Sequence, residues 1–231
     1  MTQLKTPSRS PSDPSVEWIK GFQKAVLDWY DEYGRDFPWR STSNPFWILI
    51  AEVLLRQTQA DRVVTPYLEL TGLYPDPQRL AQADIDRLRG WFRPLGLSRR
   101  ADMLVEASNI IVEEYGGNVP LDLQTLMRLP GLGRYSARAI LCLSAGHSGP
   151  LIDEASGRML RRILARPARG PAYLDGPLLD IVLRVVPFED AKRFNLGLID
   201  VASRYCRPRS PACRDCPLAP YCAVVRQHGG S

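Results

Sequence analysis

The chain reads as all-α. Apolar residues recur at helical spacing in nearly every segment after the first fourteen, convincing alternating strands are absent, and tight Pro/Gly turns separate the periodic stretches. Its 231 residues, 45% of them apolar, suffice for one large domain or two smaller lobes with real cores.

Residues 1–14 are polar and proline-rich, the composition of a disordered tail. From Val16 to Tyr33, the side chains of Trp18, Phe22, Val26, Trp29 and Tyr30 mark one face of a helix, which Gly34 stops. Pro45 opens a second helix, expected to run through Gln57; its apolar run from Phe46 to Leu55 is interrupted only by Glu52, as in a buried helix. A third helix is expected over about 61–71 and a short one over 84–91. Residues 99–115 form a long amphipathic stretch that Gly116 and Gly117 terminate. Asp122 stands where it can cap a short helix reaching Met127. Helices are further expected at about 134–146, 154–165, 176–186 and 189–204, followed by a proline-rich loop. There is no internal repeat, and no apolar run approaches the ~20 residues of a membrane span.

Net charge is +5 and the pI about 9.1. Only four of the thirty basic residues are lysine (Lys5, Lys20, Lys24 and Lys192); the rest are arginine. The guanidinium fork pairs well with phosphate, so this balance points to nucleic acid, although a bias toward arginine codons produces the same composition. Nothing at the N-terminus resembles a secretory signal. The expectation is a cytoplasmic monomer, nucleoid-associated in a prokaryote, with no membrane partner.

Cys206, Cys213, Cys216 and Cys222 read C-x6-C-x2-C-x5-C, four thiols within seventeen residues. Such a set converges on one soft centre, and the spacing alone leaves zinc and an iron–sulfur cluster open. A pair of disulfides fits poorly with an intracellular chain. Pro208, Pro211, Pro217 and Pro220 favour one rigid loop over two zinc knuckles. The remaining cysteine, Cys142, falls in an apolar helical stretch and reads as packing.

Between two expected helices lies Leu129-Pro130-Gly131-Leu132-Gly133-Arg134. Pro130 ends the first helix, while Gly131 and Gly133 permit unusual backbone angles and close approach. The next helix starts at once, so its free N–H groups face the turn and suit one phosphate, with Arg134 beside them. An ordinary helical hairpin with glycine punctuation has the same pattern.

The run L-P-G-L-G-R-Y-S-A, followed by L-I-D at Leu151 to Asp153 and by the four-cysteine loop, resembles the endonuclease III or helix-hairpin-helix-GPD superfamily of DNA glycosylases. Within it, the segment W-I-L-I-A-E-V-L-L-R-Q-T-Q-A looks like the mismatch-specific thymine/uracil and the adenine-specific members. The match spans about Asp28 to Cys222. It implies a [4Fe–4S] cluster on Cys206, Cys213, Cys216 and Cys222, chiefly structural, and double-stranded DNA with a mismatched or damaged base as partner. It also implies two helical lobes with a DNA-binding cleft between them. On this expectation residues 44–150 form a six-helix barrel lobe with the hairpin, and residues 15–43 join 151–231 as the cluster lobe.

Cleavage of an N-glycosidic bond puts positive charge on the sugar and negative charge on the base, so a carboxylate and an acid are wanted. The resemblance places Asp153 beside the sugar, although an aspartate before a helix also serves as a plain N-cap. Glu52, with apolar neighbours in most directions around its helix, is the candidate acid, because desolvation raises a carboxyl toward neutrality; a single polar residue on the helix's wet edge has the same pattern. Gln57 matches the residue that fills the stack when a base is flipped. Tyr135 stands where bifunctional relatives carry a Schiff-base lysine, and no lysine occurs between Lys24 and Lys192. A monofunctional enzyme follows. Leu97, in Gly96-Leu97-Ser98-Arg99-Arg100-Ala101, is the expected wedge, and Arg158 is expected to meet a backbone phosphate or its own helix. The family's V-D-x-N is here Ile152-Asp153-Glu154-Ala155, so either catalysis is weaker or Glu154, Ser156 or a water substitutes for the asparagine. Thymine or uracil opposite guanine is favoured; adenine opposite guanine or 8-oxoguanine, and a non-catalytic DNA-binding protein, are the alternatives.

Overall fold

The computed structural model describes residues 14–93, 98–168 and 170–228. The disordered tail expected over 1–14 lies outside them except for Pro14. Among the described residues the regular structure is helical throughout, with no strand. The described residues up to Arg35 and those from Pro150 onward form one compact unit, and Asp36–Gly149 form another.

The discontinuous unit holds α1 (Val16–Tyr33), α9 (Glu154–Ile163), α10 (Gly176–Val185), α11 (Ala191–Tyr205) and α12 (Ala223–His228). Helix α1 starts where the Ser15 hydroxyl accepts from the Trp18 amide and ends at Gly34, as its periodicity predicts. It buries Phe22, Val26 and Trp29 against Phe194, Leu198 and Val201 of α11. The approach is close because of Gly197: a Cβ there would lie 2.8 Å from Val26 Cγ1 and 3.2 Å from the Val26 carbonyl. The run Arg193–Asp200 supplies several of the polar ties of this unit. Arg193 pairs with Asp31 and Asp190. The buried Asn195 accepts the Leu151 amide at 3.0 Å, and buried Asp200 holds Arg35 through both the amide and the guanidinium.

The continuous unit holds α2 (Pro45–Leu55), α3 (Ala60–Leu73), α4 (Pro77–Ala81), α5 (Ile85–Phe92), α6 (Ser98–Tyr115), α7 (Leu123–Leu126) and α8 (Arg134–Ala145). Asn44 caps α2 by accepting from the Phe46 and Trp47 amides, with Pro45 preset for the first turn. Eight of its eleven side chains are buried, which makes α2 the axis of this unit, packed between α3, α6 and α8. Each large apolar side chain so buried contributes roughly 1.5–3 kcal/mol. Cys142 is buried on α8, and Trp39 stacks on Phe37 with centroids 4.8 Å apart; both are packing residues.

Helix α2 stops two residues before the expected Gln57. The reason is conformational: Arg56 is extended at ψ 116° and Gln57 takes a positive φ of 54°. The five-residue α4 and six-residue α12 were not expected, being too short to show a period. Asp122 accepts from the Thr125 amide at 2.8 Å, the cap its position predicts.

Candidate active site and DNA-contact residues

Glu52 sits in the middle of α2 with its side chain buried. Burial pushes its carboxyl up to about 7, and a hydrogen bond from Ser136 at the start of α8 opposes part of that rise. A carboxyl with its midpoint near neutrality can both carry and release a proton there. Tyr135 precedes Ser136 and is half-exposed on the first turn of α8, so the helix that supplies the partner of Glu52 also presents the phenol.

The hairpin turn divides its two glycines by role. Gly131 has φ +82°, and a Cβ there would press on Val53 Cγ2 and Met103 Cβ at 3.3 Å, so both conformation and space call for glycine. Gly133 is extended, exposed and faces open space; what it contributes is an absent side chain at the head of α8. That helix start has no side-chain cap, which leaves its first amides pointing outward. Arg134 follows directly, and Arg138 one turn on has its guanidinium pushed down by burial and by Arg134. Among the described residues neither pairs with a carboxylate. An anion fits there.

Gln57 is exposed, directly beyond the end of α2. Its segment is tied on two sides: Arg56 donates to the Gly131 carbonyl at 2.9 Å, and Arg100 of α6 donates to the carbonyls of Leu54 and Arg56 and to the Thr58 hydroxyl. Leu97, the expected wedge, lies outside the described residues.

Asp153 is the N-cap of α9 and half-buried. Its Oδ1 accepts from the Ser156 amide at 2.7 Å and from the Ser156 hydroxyl at 2.6 Å, while the Asp153 amide donates back to Ser156 Oγ at 2.9 Å. Among the described residues Oδ2 has no hydrogen bond. The aspartate is thus held by one oxygen and open at the other. Ala155 packs on the apolar core, and Ser156, one of the expected substitutes for the asparagine, is a polar partner of Asp153. The segment before the aspartate is fixed by Asn195 through Leu151.

The four cysteines of the C-terminal segment line one cavity of about 180 Å³, walled also by Met159, Ile163, Leu218 and Val225. Burial pushes the Cys216 thiol up to about 11, and the nearby Cys206, Cys213 and Cys222 add to that rise. Among the described residues no group of three or more His, Cys, Asp or Glu is arranged so that it could hold a metal ion. Two arginines one turn apart on α9 fasten the segment. Arg162 donates to Cys206 Sγ at 3.3 Å and to the carbonyls of Arg207 and Pro208. Arg158, expected to meet a backbone phosphate or its own helix, donates Nε to the Cys206 carbonyl at 2.8 Å.

Ser136, Arg56, Arg100, Asn195 and Arg162 were not singled out from sequence. Each acts through a partner distant along the chain, and no local spacing marks them. The one usable signal is Ser156, three residues after Asp153, the spacing of a reciprocal cap.

The family model for HhH-GPD superfamily base excision DNA repair proteins matches residues 50–186. A thymine-DNA glycosylase of Aeropyrum pernix is 38% identical over 209 residues, covering 88% of this chain and 94% of that protein. A thymine/uracil-DNA glycosylase of Pyrobaculum aerophilum is 35% identical over 217 residues, covering 92% of this chain and 94% of that protein. The solved structure of a thermostable thymine-DNA glycosylase superposes with a TM-score of 0.82 at 30% identity, over 91% of this chain and 98% of that one.

Proposed function

The chain belongs to the HhH-GPD superfamily of base excision DNA repair proteins, and from that premise we propose that it is a monofunctional DNA glycosylase. It hydrolyses the N-glycosidic bond of a flipped base, with thymine or uracil opposite guanine as the preferred target.

The observation that carries this reading is the Asp153 carboxylate, held by Ser156 through Oδ1 and open at Oδ2. An oxygen so placed stabilises positive charge on the deoxyribose and orients the attacking water. Glu52, raised by burial to about 7, still carries a proton in part at neutral pH and donates it toward the departing base. Tyr135 stands against the sugar where a lysine would form a Schiff base, and the chain has no lysine between Lys24 and Lys192. The product is therefore an intact strand with an abasic site. Gln57 fills the vacated stack and Leu97 wedges the duplex. The Gly131–Gly133 turn, the α8 amides and Arg134 take one phosphate without reading sequence.

The four cysteines fit a [4Fe–4S] cluster. Their donors are soft, and all four line one cavity. Such a cluster would give Cys206, Cys213, Cys216 and Cys222 a common anchor, and Arg162 already donates to the first sulfur. The chain's own work is to hold that segment on α9, the helix that Asp153 caps. No described helix is long and apolar enough to cross a membrane; a repair enzyme works with the DNA, in the cytoplasm or at the nucleoid.

The test is a panel of duplexes bearing G·T, G·U, A opposite 8-oxoguanine and A·G, incubated with protein and then with alkali. Strand breaks after alkali on G·T and G·U support the reading, and breaks confined to the adenine duplexes move the substrate to adenine. A gel shift without base release on any duplex leaves a DNA binder.

A further inference from the structure

We propose that Arg100 is a positioning residue that presets the Gln57 segment for insertion into the duplex, an inference that rests on the glycosylase reading above. Three observations within one unit carry it. Gln57 is an exposed, non-glycine residue with φ +54°, a conformation that a side chain adopts only when its surroundings impose it. The surroundings that impose it are the guanidinium of Arg100: Nη1 reaches the Leu54 carbonyl at 2.5 Å and the Thr58 hydroxyl at 2.9 Å, and Nη2 reaches the Arg56 carbonyl. Gln57 is thus bracketed by acceptors on both neighbours, and the carbonyls at the end of α2 that have no helical partner are satisfied. On the other flank Arg56 is tied to the Gly131 carbonyl of the hairpin turn.

The chemistry asks for arginine. Three acceptors in different directions match a planar fork with several fixed N–H groups, and a lysine ammonium at the end of a flexible stem cannot hold the same three at once.

The test is a double-mutant cycle on a G·T duplex with 2-aminopurine beside the target thymine, read by single-turnover base release and by the fluorescence rise on extrusion. Gln57→Ala and Arg100→Ala should each slow release about 10-fold and suppress the rise, and the double variant should be no slower than the slower single. Arg100→Lys should behave like Arg100→Ala. If Arg100→Ala fails to fold, Thr58→Val removes one of the three acceptors and takes its place in the cycle. Two singles that multiply to about 100-fold, or full rescue by Arg100→Lys, overturn the inference. A wild-type protein that raises the fluorescence but releases no base sinks the glycosylase reading, and the cycle is then decided on fluorescence alone.

Discussion

Ser136 at the start of α8 donates a hydrogen bond to the carboxyl of Glu52 in the middle of α2. Burial holds that carboxyl protonated up to about pH 7, while the bond favours the ionised form. Base release should therefore fall as pH rises through about 7. Ser136→Ala removes the opposing bond and should move that fall to higher pH, measured as a single-turnover pH profile.

The same group makes stability depend on pH. Its folded pKa lies above the unfolded value of 4.5, so its contribution is complete below about 4.5 and disappears as pH rises through about 7. Glu52→Gln removes the ionisation. The variant should match the wild type near pH 4.5 and exceed it by up to about 3 kcal/mol at pH 8 in urea unfolding, while base release falls at least 100-fold.

Asp153 carries a cap and a proposed reaction role, and Asp153→Asn separates them. Asparagine caps helices about as well as aspartate, so unfolding free energy should change by less than about 1 kcal/mol. Base release should drop by about 1,000-fold or more with DNA binding retained. Turnover at the wild-type rate would remove Asp153 from its role. Ser156→Ala should lose about 1–2 kcal/mol of stability together with activity, since one hydroxyl serves both the cap and the carboxylate.

Tyr135→Lys should convert the product. An amine at the head of α8 can attack the sugar carbon, so strand breaks should appear without alkali, and borohydride should trap a covalent complex absent from the wild type.

Arg162→Gln should leave four cysteines facing their cavity but withdraw the hydrogen bond to Cys206 Sγ. In protein purified with iron and sulfide the reduction potential should fall, because a donor to sulfur stabilises the more reduced state. Arg158→Ala should cost about 1.5–3 kcal/mol through its lost bond to the Cys206 carbonyl, read as a lower Tm with unchanged iron content.

Much of the helical order was legible because punctuation and period agreed. Helix α1 begins after Ser15 and ends at Gly34 as its face predicts, and Asp122 caps where its position says it should. Burial of Glu52 was half-legible: apolar neighbours cover most directions around α2, but a wet-edge position fits the same pattern until the packing partners of α2 are known. Helix α2 was overextended because its end is set by Arg100, which arrives from α6 and competes for the last carbonyls. Ser136 was illegible for the same kind of reason: only folding brings the start of α8 to the middle of α2. Ser156 was half-legible, since a serine three residues beyond an aspartate marks a cap but does not say that its hydroxyl would also steady a reacting carboxylate.

The unit built from both ends of the chain has a consequence for how the protein is made. Gln23 waits for Val185 and Arg35 for Asp200, partners 162 and 165 positions later. On a ribosome, residues 36–149, a compact unit by themselves, are complete long before those arrive, so the inserted half can mature first while the leading helix stays exposed. A nascent chain stalled before Val185 should therefore be cut by protease near Phe22 and Trp29 yet be resistant around Ile48 and Leu104, and release of the full chain should erase that difference.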